Sequence, residues 1–277
     1  MSDMDPKWII DDTTPIESQA INGLGHGYVE RDVAVQPAYG ASPSLLKTYD
    51  VDTWPELLAE QEAKQSSLWH IRNRRGPNGG PIPYLDQGRY GYCWAHSAVH
   101  ALMLQRAVAN QPYVPLSAFS VAGPIKNGRN EGAWAALAFD RMMTHGVAPQ
   151  SLWPQGNASP SLWTPSTAIE AAKNRISEGW WDAGKHPGLR NLSIEQVFTL
   201  LIDNVPTPVE FNWWTHSVLG LRFVDTKRTA NKRDIHNRYA LDILNSWVNY
   251  GDNGVGRITG QRMRPDSAVA LTVAFAA

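Results

Sequence analysis

Helical and strand patterns are segregated along this chain, and that segregation limits its fold more than any single motif. Up to about residue 204 the periodic segments have helical spacing. Ala95, Ala98, Val99, Leu102, Met103 and Arg106 follow the i, i+3, i+4, i+7 pattern. A second helix is expected over 131–145, stopped by Gly146. A third should start at Ser193, with Gln196 completing a capping box and Val197, Leu200 and Leu201 on one face. A shorter one should start at Thr53, with Glu56 at capping-box spacing and Pro55 in its first turn. From Pro206 the texture changes, and 209–213, 217–224, 239–244, 256–259 and 268–275 read as strands divided by turns. Helices first and strands last argue for an α+β fold in two lobes, a helical one over about 77–204 and a β-rich, barrel-like one over about 205–277.

Composition narrows the class. A chain of 277 residues, 43% hydrophobic, can bury a core without disulfides or metals and is neither disordered nor collagen-like. Its 22 Gly and 19 Pro favour a loop-rich globule over a bundle, and its 12 Trp suggest a well-buried interior or an aromatic-lined cleft. A net charge of −1 gives no global attraction to nucleic acid or anionic membrane, and the basic stretches 72–75 and 227–233 read as solvated loops. No apolar run approaches the roughly 20 residues that span a bilayer. Residues 1–5 are acidic and lack an apolar signal core, so an intracellular or particle-associated protein is expected. The single cysteine, Cys93, rules out an intrachain disulfide and fits a reducing compartment.

Residues 1–50 are rich in turn formers (Asn22, Gly23, Gly25, Gly27, Gly40, Pro43), and the glycine triplet lacks the spacing of a dinucleotide-binding fingerprint. A basic, Gly/Pro-rich connection over 72–83 sets a boundary between an N-terminal arm, 1–76, and a domain, 77–277. The arm's large apolar residues (Trp8, Ile9, Ile10, Tyr28, Tyr39) are scattered as separate anchors. It is expected to wrap a surface and mediate assembly with a protein partner, without entering a cleft.

The chemistry concentrates at residues 86–97. Cys93 sits where a glycine-containing loop enters the strongest helix, and free N–H groups with the positive dipole end favour its thiolate. A lone intracellular cysteine is more often a buried hydrophobe, but three features point the other way. Gln87 lies six residues earlier in a turn that can fold back, so that its amide and the Cys93 N–H form an oxyanion site. His216 opens a predicted strand, and Asn245-Ser246-Trp247 ends another. Together they provide nucleophile, base, orienting amide and oxyanion donor.

These blocks resemble the papain-like cysteine peptidases. The family's Gln six residues before a Cys-Trp pair is matched by Gln87, Cys93 and Trp94. Its strand-heading His is matched by His216, and its Asn-Ser-Trp with a following glycine turn by Asn245-Ser246-Trp247 and 251–254. His216 and Asn245 follow the cysteine by 123 and 152 residues, near the roughly 130–150 of that family. The resemblance implies a two-lobed fold with the cleft between lobes, the Cys93 helix on one wall and His216 and Asn245 on the other. It implies hydrolysis of a polypeptide substrate through a thioester, with no cofactor and no metal. Cys93, His216, Asn245 and Gln87 would be catalytic. Trp94 and Trp247 would support them, and Gly132, Trp134, Thr215 and Ser217 would touch substrate. Departures are Tyr90 in place of a second loop cysteine, Tyr92 before the nucleophile, His96 in place of an aromatic, a partial glycine strip at 130–132 and a long basic loop over 226–237.

Other readings are weaker. His96 and His100, with Cys93 a turn earlier, have zinc-like helical spacing but lack the zincin Glu and a fourth ligand, so they read as core or supporting histidines. Cys–His chemistry also serves cell-wall peptidases and acyltransferases, against which the Asn-Ser-Trp block argues. An assembly protein built on the same fold, for instance of a phage particle, is the second hypothesis, motivated by the attached arm. His26, His70, His145, His186 and His236 have no neighbours in sequence that suggest a role.

Overall fold

A computed structural model describes residues 4–15, 25–31, 48–176, 179–182 and 193–271. Its centre is helix α3 (Cys93–Val108), which follows helices α1 (Trp54–Ala63) and α2 (Leu68–Arg72). Ala95, Ala98 and Ala101 are fully buried along α3, and their small side chains let neighbouring elements approach closely. Helices α4 (Phe119–Lys126), α5 (Ala135–Thr144) and α6 (Pro165–Ala172) lie on its helical side. Helix α7 (Ile194–Ile202) and the short α8 (Ile235–Arg238) belong to the sheet side.

The strands are β1 (Ile9–Ile10), β2 (Trp180–Asp182), β3 (Thr207–Phe211), β4 (His216–Asp225), β5 (Tyr239–Leu244), β6 (Val255–Thr259) and β7 (Ser267–Leu271). They form one sheet in the order β1-β6-β5-β4-β3-β7-β2. β1 runs parallel to β6, and the other pairs are antiparallel. Both faces of β4 are covered. Ser217 reaches Ser97 of α3 (2.7 Å), whereas Gly220, on the opposite face, lies under Leu201 of α7. Strands buried on both faces read as continuous apolar runs, which is why β3 to β7 were legible; residues 272–275 of the last expected strand lie outside the described residues. β1 and β2 were not expected, being too short to show a period.

Helix starts differ from the capping expectations. Thr53 does not cap α1. It ends a 3-10 turn (Val51–Thr53) that Asp50 caps, and its hydroxyl turns back to the Asp50 carbonyl (2.7 Å). Glu56 pairs with Lys232 instead (2.8 Å). Ser193 precedes α7, but its hydroxyl meets Glu195 rather than forming the box with Gln196. Helix α5 starts later than residue 131 because Trp134 is extended, leaving 131–134 free to line the cleft.

Residues 48–76 are part of the core. Trp54 is fully buried and stacks on Phe198 of α7 at 3.7 Å. Arg72 reaches the Asn253 carbonyl, and its own carbonyl accepts the Ile82 N–H (2.8 Å), so the two ends of the 72–83 connection are tied together against the domain.

Candidate active site

Cys93 is set by a loop anchored on both sides. Leu85 N–H donates to His100 Nε2 (2.7 Å), and Gln87 N–H donates to the Ser246 carbonyl (2.9 Å). Gly91 N–H donates to Asn130 Oδ1 (2.6 Å), and the Trp94 indole donates to the Gly91 carbonyl (3.0 Å). The Cys93 sulfur, at the first position of α3, faces the backbone N–H groups of Ser217, Gly27 and Trp94.

The facing histidine comes from β4. His216 Nε2 lies 2.8 Å from Asn245 Oδ1, and the Ser246 N–H donates to that same oxygen (2.7 Å), which fixes the amide with oxygen toward the ring. Nε2 therefore carries the proton. Nδ1, buried and without a hydrogen-bond partner, is the nitrogen with a free lone pair. Trp247 stacks on the imidazole at 4.2 Å and 26°, shielding this bond from water. The 251–254 turn holds Asn245 in place through its N–H to the Gly254 carbonyl (2.8 Å). On the Gln87 side chain, Oε1 accepts the Ser246 hydroxyl, so Nε2 faces the cleft.

The cleft is filled by the protein's own residues 25–31. Gln87 Nε2 donates to the Gly25 carbonyl (2.7 Å) as well as to Tyr90 O (2.7 Å), and the Trp247 indole also donates to Gly25 O (3.1 Å). The His26 ring lies 5.7 Å from that of His216 and 5.0 Å from that of Trp247. Gly27 and Tyr28 N–H both donate to the Thr215 carbonyl, at 3.2 and 3.1 Å. Tyr28 bridges Ala133 in parallel, with Ala133 N–H to Gly27 O and Val29 N–H to Ala133 O, each 2.9 Å. Thr215 has φ of +47°, a costly value for a β-branched residue, and lies immediately before His216. This approach requires glycine: a Cβ on Gly25 or Gly27 would overlap the Tyr90 or Gly91 carbonyl, and one on Gly132 would overlap the Gly27 carbonyl. The expectation that the N-terminal arm avoids the cleft is thus corrected. His26, set aside in the sequence, faces His216.

Occlusion inverts the electrostatics. Cys93 and His216 are both fully buried. Burial pushes the thiol up to about 12, outweighing the N–H groups that favour thiolate, and pushes His216 down to about 3 despite Asn245. The closed state holds neutral thiol and neutral imidazole. The lowered thiol pKa expected from the helix terminus does not apply here, because desolvation exceeds the dipole.

The remaining expected residues fall around this centre. Trp134 is half-buried at the start of α5, and the Ser217 hydroxyl binds Ser97 while its N–H faces the sulfur. Tyr92 does not crowd the cleft, since its hydroxyl reaches the Arg129 carbonyl (2.7 Å). His96 is buried with Nδ1 at the Tyr92 carbonyl (2.8 Å) and is held down to about 4 by burial. Among the described residues no group of three or more His, Cys, Asp or Glu gathers to hold a metal, and no helix is long and apolar enough to cross a membrane. Sequence reasoning gave no role to Ser246 and missed Ala133 and Glu210, whose Oε1 accepts the Ala135 N–H (2.7 Å) at the cleft wall. A glutamate inside an apolar strand, Pro208-Val209-Glu210-Phe211, was the signal for the last.

No protein-family model and no curated protein matches the sequence. Solved structures do. Xylellain, a cysteine protease from Xylella fastidiosa, aligns with 17% identity over 91% of this chain and 97% of its own, TM-score 0.60. The digestive procathepsin L2 proteinase of Tenebrio molitor larval midgut aligns with 15% identity over 94% and 83%, TM-score 0.61. The proform of the ragweed pollen cysteine protease Amb a 11 aligns with 15% identity over 91% and 77%, TM-score 0.58. The chain has the two-lobed, papain-like α+β fold.

Proposed function

We propose that this protein is a cysteine peptidase held latent by its own residues 25–31. The observation that carries the reading is the His216–Asn245 pair, shielded by Trp247, on the strand whose next residue, Ser217, faces Cys93 at the head of α3. Several similar structures are of precursor forms of cysteine proteases, which accords with latency.

Departure of the segment readmits water to Cys93 and His216 and lifts the burial that opposes their charged forms. The Cys93 proton then passes to His216 Nδ1, and the thiolate attacks a substrate carbonyl. The oxyanion takes the Gln87 side-chain Nε2–H vacated by the Gly25 carbonyl, together with the Cys93 backbone N–H. The C–N bond breaks as His216 returns the proton to the leaving amine. Water, deprotonated by His216, hydrolyses the thioester. Asn245 keeps the ring in register throughout.

The test uses the full-length Gly27→Ala variant, in which the new Cβ expels the segment, with and without Cys93→Ala. Hydrolysis of a denatured protein or peptide pool by Gly27→Ala, abolished by Cys93→Ala, is expected. A folded Gly27→Ala protein that cleaves nothing would sink the peptidase reading and leave an assembly role to be tested.

A further inference from the structure

The two walls of the site are also joined one turn into α3, by a pair of serines. Ser97 lies four residues along α3 from Cys93, and Ser217 follows His216 on β4; each is 1% exposed. Their hydroxyl oxygens are 2.7 Å apart. The Trp94 carbonyl, 3.1 Å from Ser97 Oγ, can only accept, so Ser97 donates to it and Ser217 donates to Ser97. The Ser217 N–H faces the Cys93 sulfur, so this one residue meets α3 through main chain and side chain together. Thr215, immediately before His216, has a φ of +47° that a β-branched residue holds only where its surroundings enforce it. In the closed cleft residues 25–31 supply part of that enforcement, since Gly27 and Tyr28 N–H both donate to the Thr215 carbonyl. Once the segment withdraws, Thr215 keeps its N–H on the Asn212 carbonyl (3.2 Å) and its hydroxyl on the Trp214 carbonyl (2.8 Å), both within the β3–β4 hairpin. Neither bond reaches α3. The serine pair does.

Resting on the peptidase reading, we propose that Ser217 is a positioning residue, whose hydroxyl bond to Ser97 keeps His216 in register with Cys93 after residues 25–31 have left Thr215. With alanine at 217 the main-chain N–H still faces the sulfur, but the start of β4 is free to follow Thr215 as it relaxes toward negative φ. The imidazole shifts with it, and the thiolate–imidazolium pair, which depends on close approach of opposite charges, forms less readily. Asn245 does not substitute for this tie. It orients the ring through Nε2 from the end of β5, and so travels with the sheet instead of holding the sheet to α3. The alanine exchange is a clean deletion, because the Ser97 proton stays on the Trp94 carbonyl and no buried donor is orphaned. One such bond, at ordinary net strength, corresponds to about a fivefold change.

The test is the pH profile of iodoacetamide labelling of Cys93 in the full-length Gly27→Ala chain, with peptide hydrolysis as a second readout. Ser217→Ala should move the acid limb of the profile upward by about 0.7 pH unit and lower labelling at pH 6 about fivefold, since weaker pairing raises the thiol pKa. Ser97→Ala, on the other wall, should move the limb the same way. The double variant should move it no further than the larger single, because the same bond is lost in all three. In hydrolysis Ser217→Ala should lower kcat about fivefold at unchanged KM. A merely structural serine would lower the urea midpoint and leave the limb in place. An unmoved limb in folded Ser217→Ala, or additive shifts in the double variant, overturns the positioning role and leaves the peptidase reading to stand on cleavage by Gly27→Ala. A raised KM at unchanged kcat also overturns it, by making Ser217 a substrate contact. A shifted limb with no cleavage by Gly27→Ala supports the tie and overturns the peptidase reading instead.

Discussion

Gly27→Ala gives the sharpest measure of how the segment controls access to Cys93. The added methyl overlaps the Gly91 carbonyl, which is main chain tied to both Asn130 and Trp94 and does not move aside cheaply. Residue 27 must therefore withdraw. With it go four backbone hydrogen bonds: Gly27 and Tyr28 N–H to Thr215 O, Ala133 N–H to Gly27 O, and Val29 N–H to Ala133 O. At about 1 kcal/mol net each, the closed state loses about 4 kcal/mol, close to a thousandfold in the open population. Alkylation of the single thiol reads this directly. In the parent chain labelling should be slow at pH 7, because the sulfur is covered and protonated. In Gly27→Ala it should be at least about a hundredfold faster, allowing for partial rearrangement. A variant with unchanged circular dichroism that labels at the parent rate would refute the claim that residues 25–31 gate the site.

Other outcomes follow from the same geometry. In the Gly27→Ala background Asn245→Ala should retain measurable turnover, because the amide orients His216 without reacting, whereas Gln87→Ala should lower kcat by roughly 10²–10³ through loss of one oxyanion donor; equal kcat for Gln87→Ala and its background would dismiss the oxyanion role. Trp54→Ala should destabilise the chain by about 3–5 kcal/mol in urea unfolding, despite lying N-terminal to the Gly/Pro-rich connection; a loss below about 1 kcal/mol would place it outside the core. His216 and His96 are held down to about 3 and 4, so their neutral forms are what the closed fold stabilises. Their contribution is complete above the ordinary histidine pKa of about 6.5. It falls as pH drops below that value, by up to about 1.4 kcal/mol per unit for each ring. Urea midpoints should therefore decline between pH 6.5 and 4.5, and a flat profile would contradict the burial of both rings.

Much of the architecture was legible because the strands are long, apolar and bounded by turns, as β4 and β5 are, and because α3 has an uninterrupted helical period. Cys93, Gln87, His216 and Asn245 were legible for a different reason: each stands in a short block whose local geometry is set by its neighbours. Gly251–Gly254 closes on Asn245, and Ser246 turns Gln87 toward the cleft. What escaped notice depends on distant pairing. Gly25 and Gly27 read as turn formers, yet their lack of a Cβ serves close backbone approach, and nothing local distinguishes the two uses. Ile9–Ile10 is a strand only because β6 lies beside it. Glu210 needed its partner across the fold, the Ala135 N–H, before its place in an apolar strand made sense.

The segment in the cleft is held at both ends by the fold itself: β1 upstream is hydrogen-bonded into the sheet edge at β6, and α1 downstream is locked by Trp54. Residues 25–31 are therefore a doubly tethered occupant, and their competition with any other cleft ligand would be unimolecular. Diluting the protein leaves their local concentration unchanged, at the millimolar scale typical of short linkers. A single chain break between β1 and the cleft, or between the cleft and α1, still leaves one tether, so the nicked molecule continues to rebind its own plug. Two breaks, or one break with loss of β1 from the sheet, convert the occupant into a free peptide that dilution can remove. Rebinding would then depend on concentration, and the number of cuts, rather than their rate alone, would decide whether dilution opens the site.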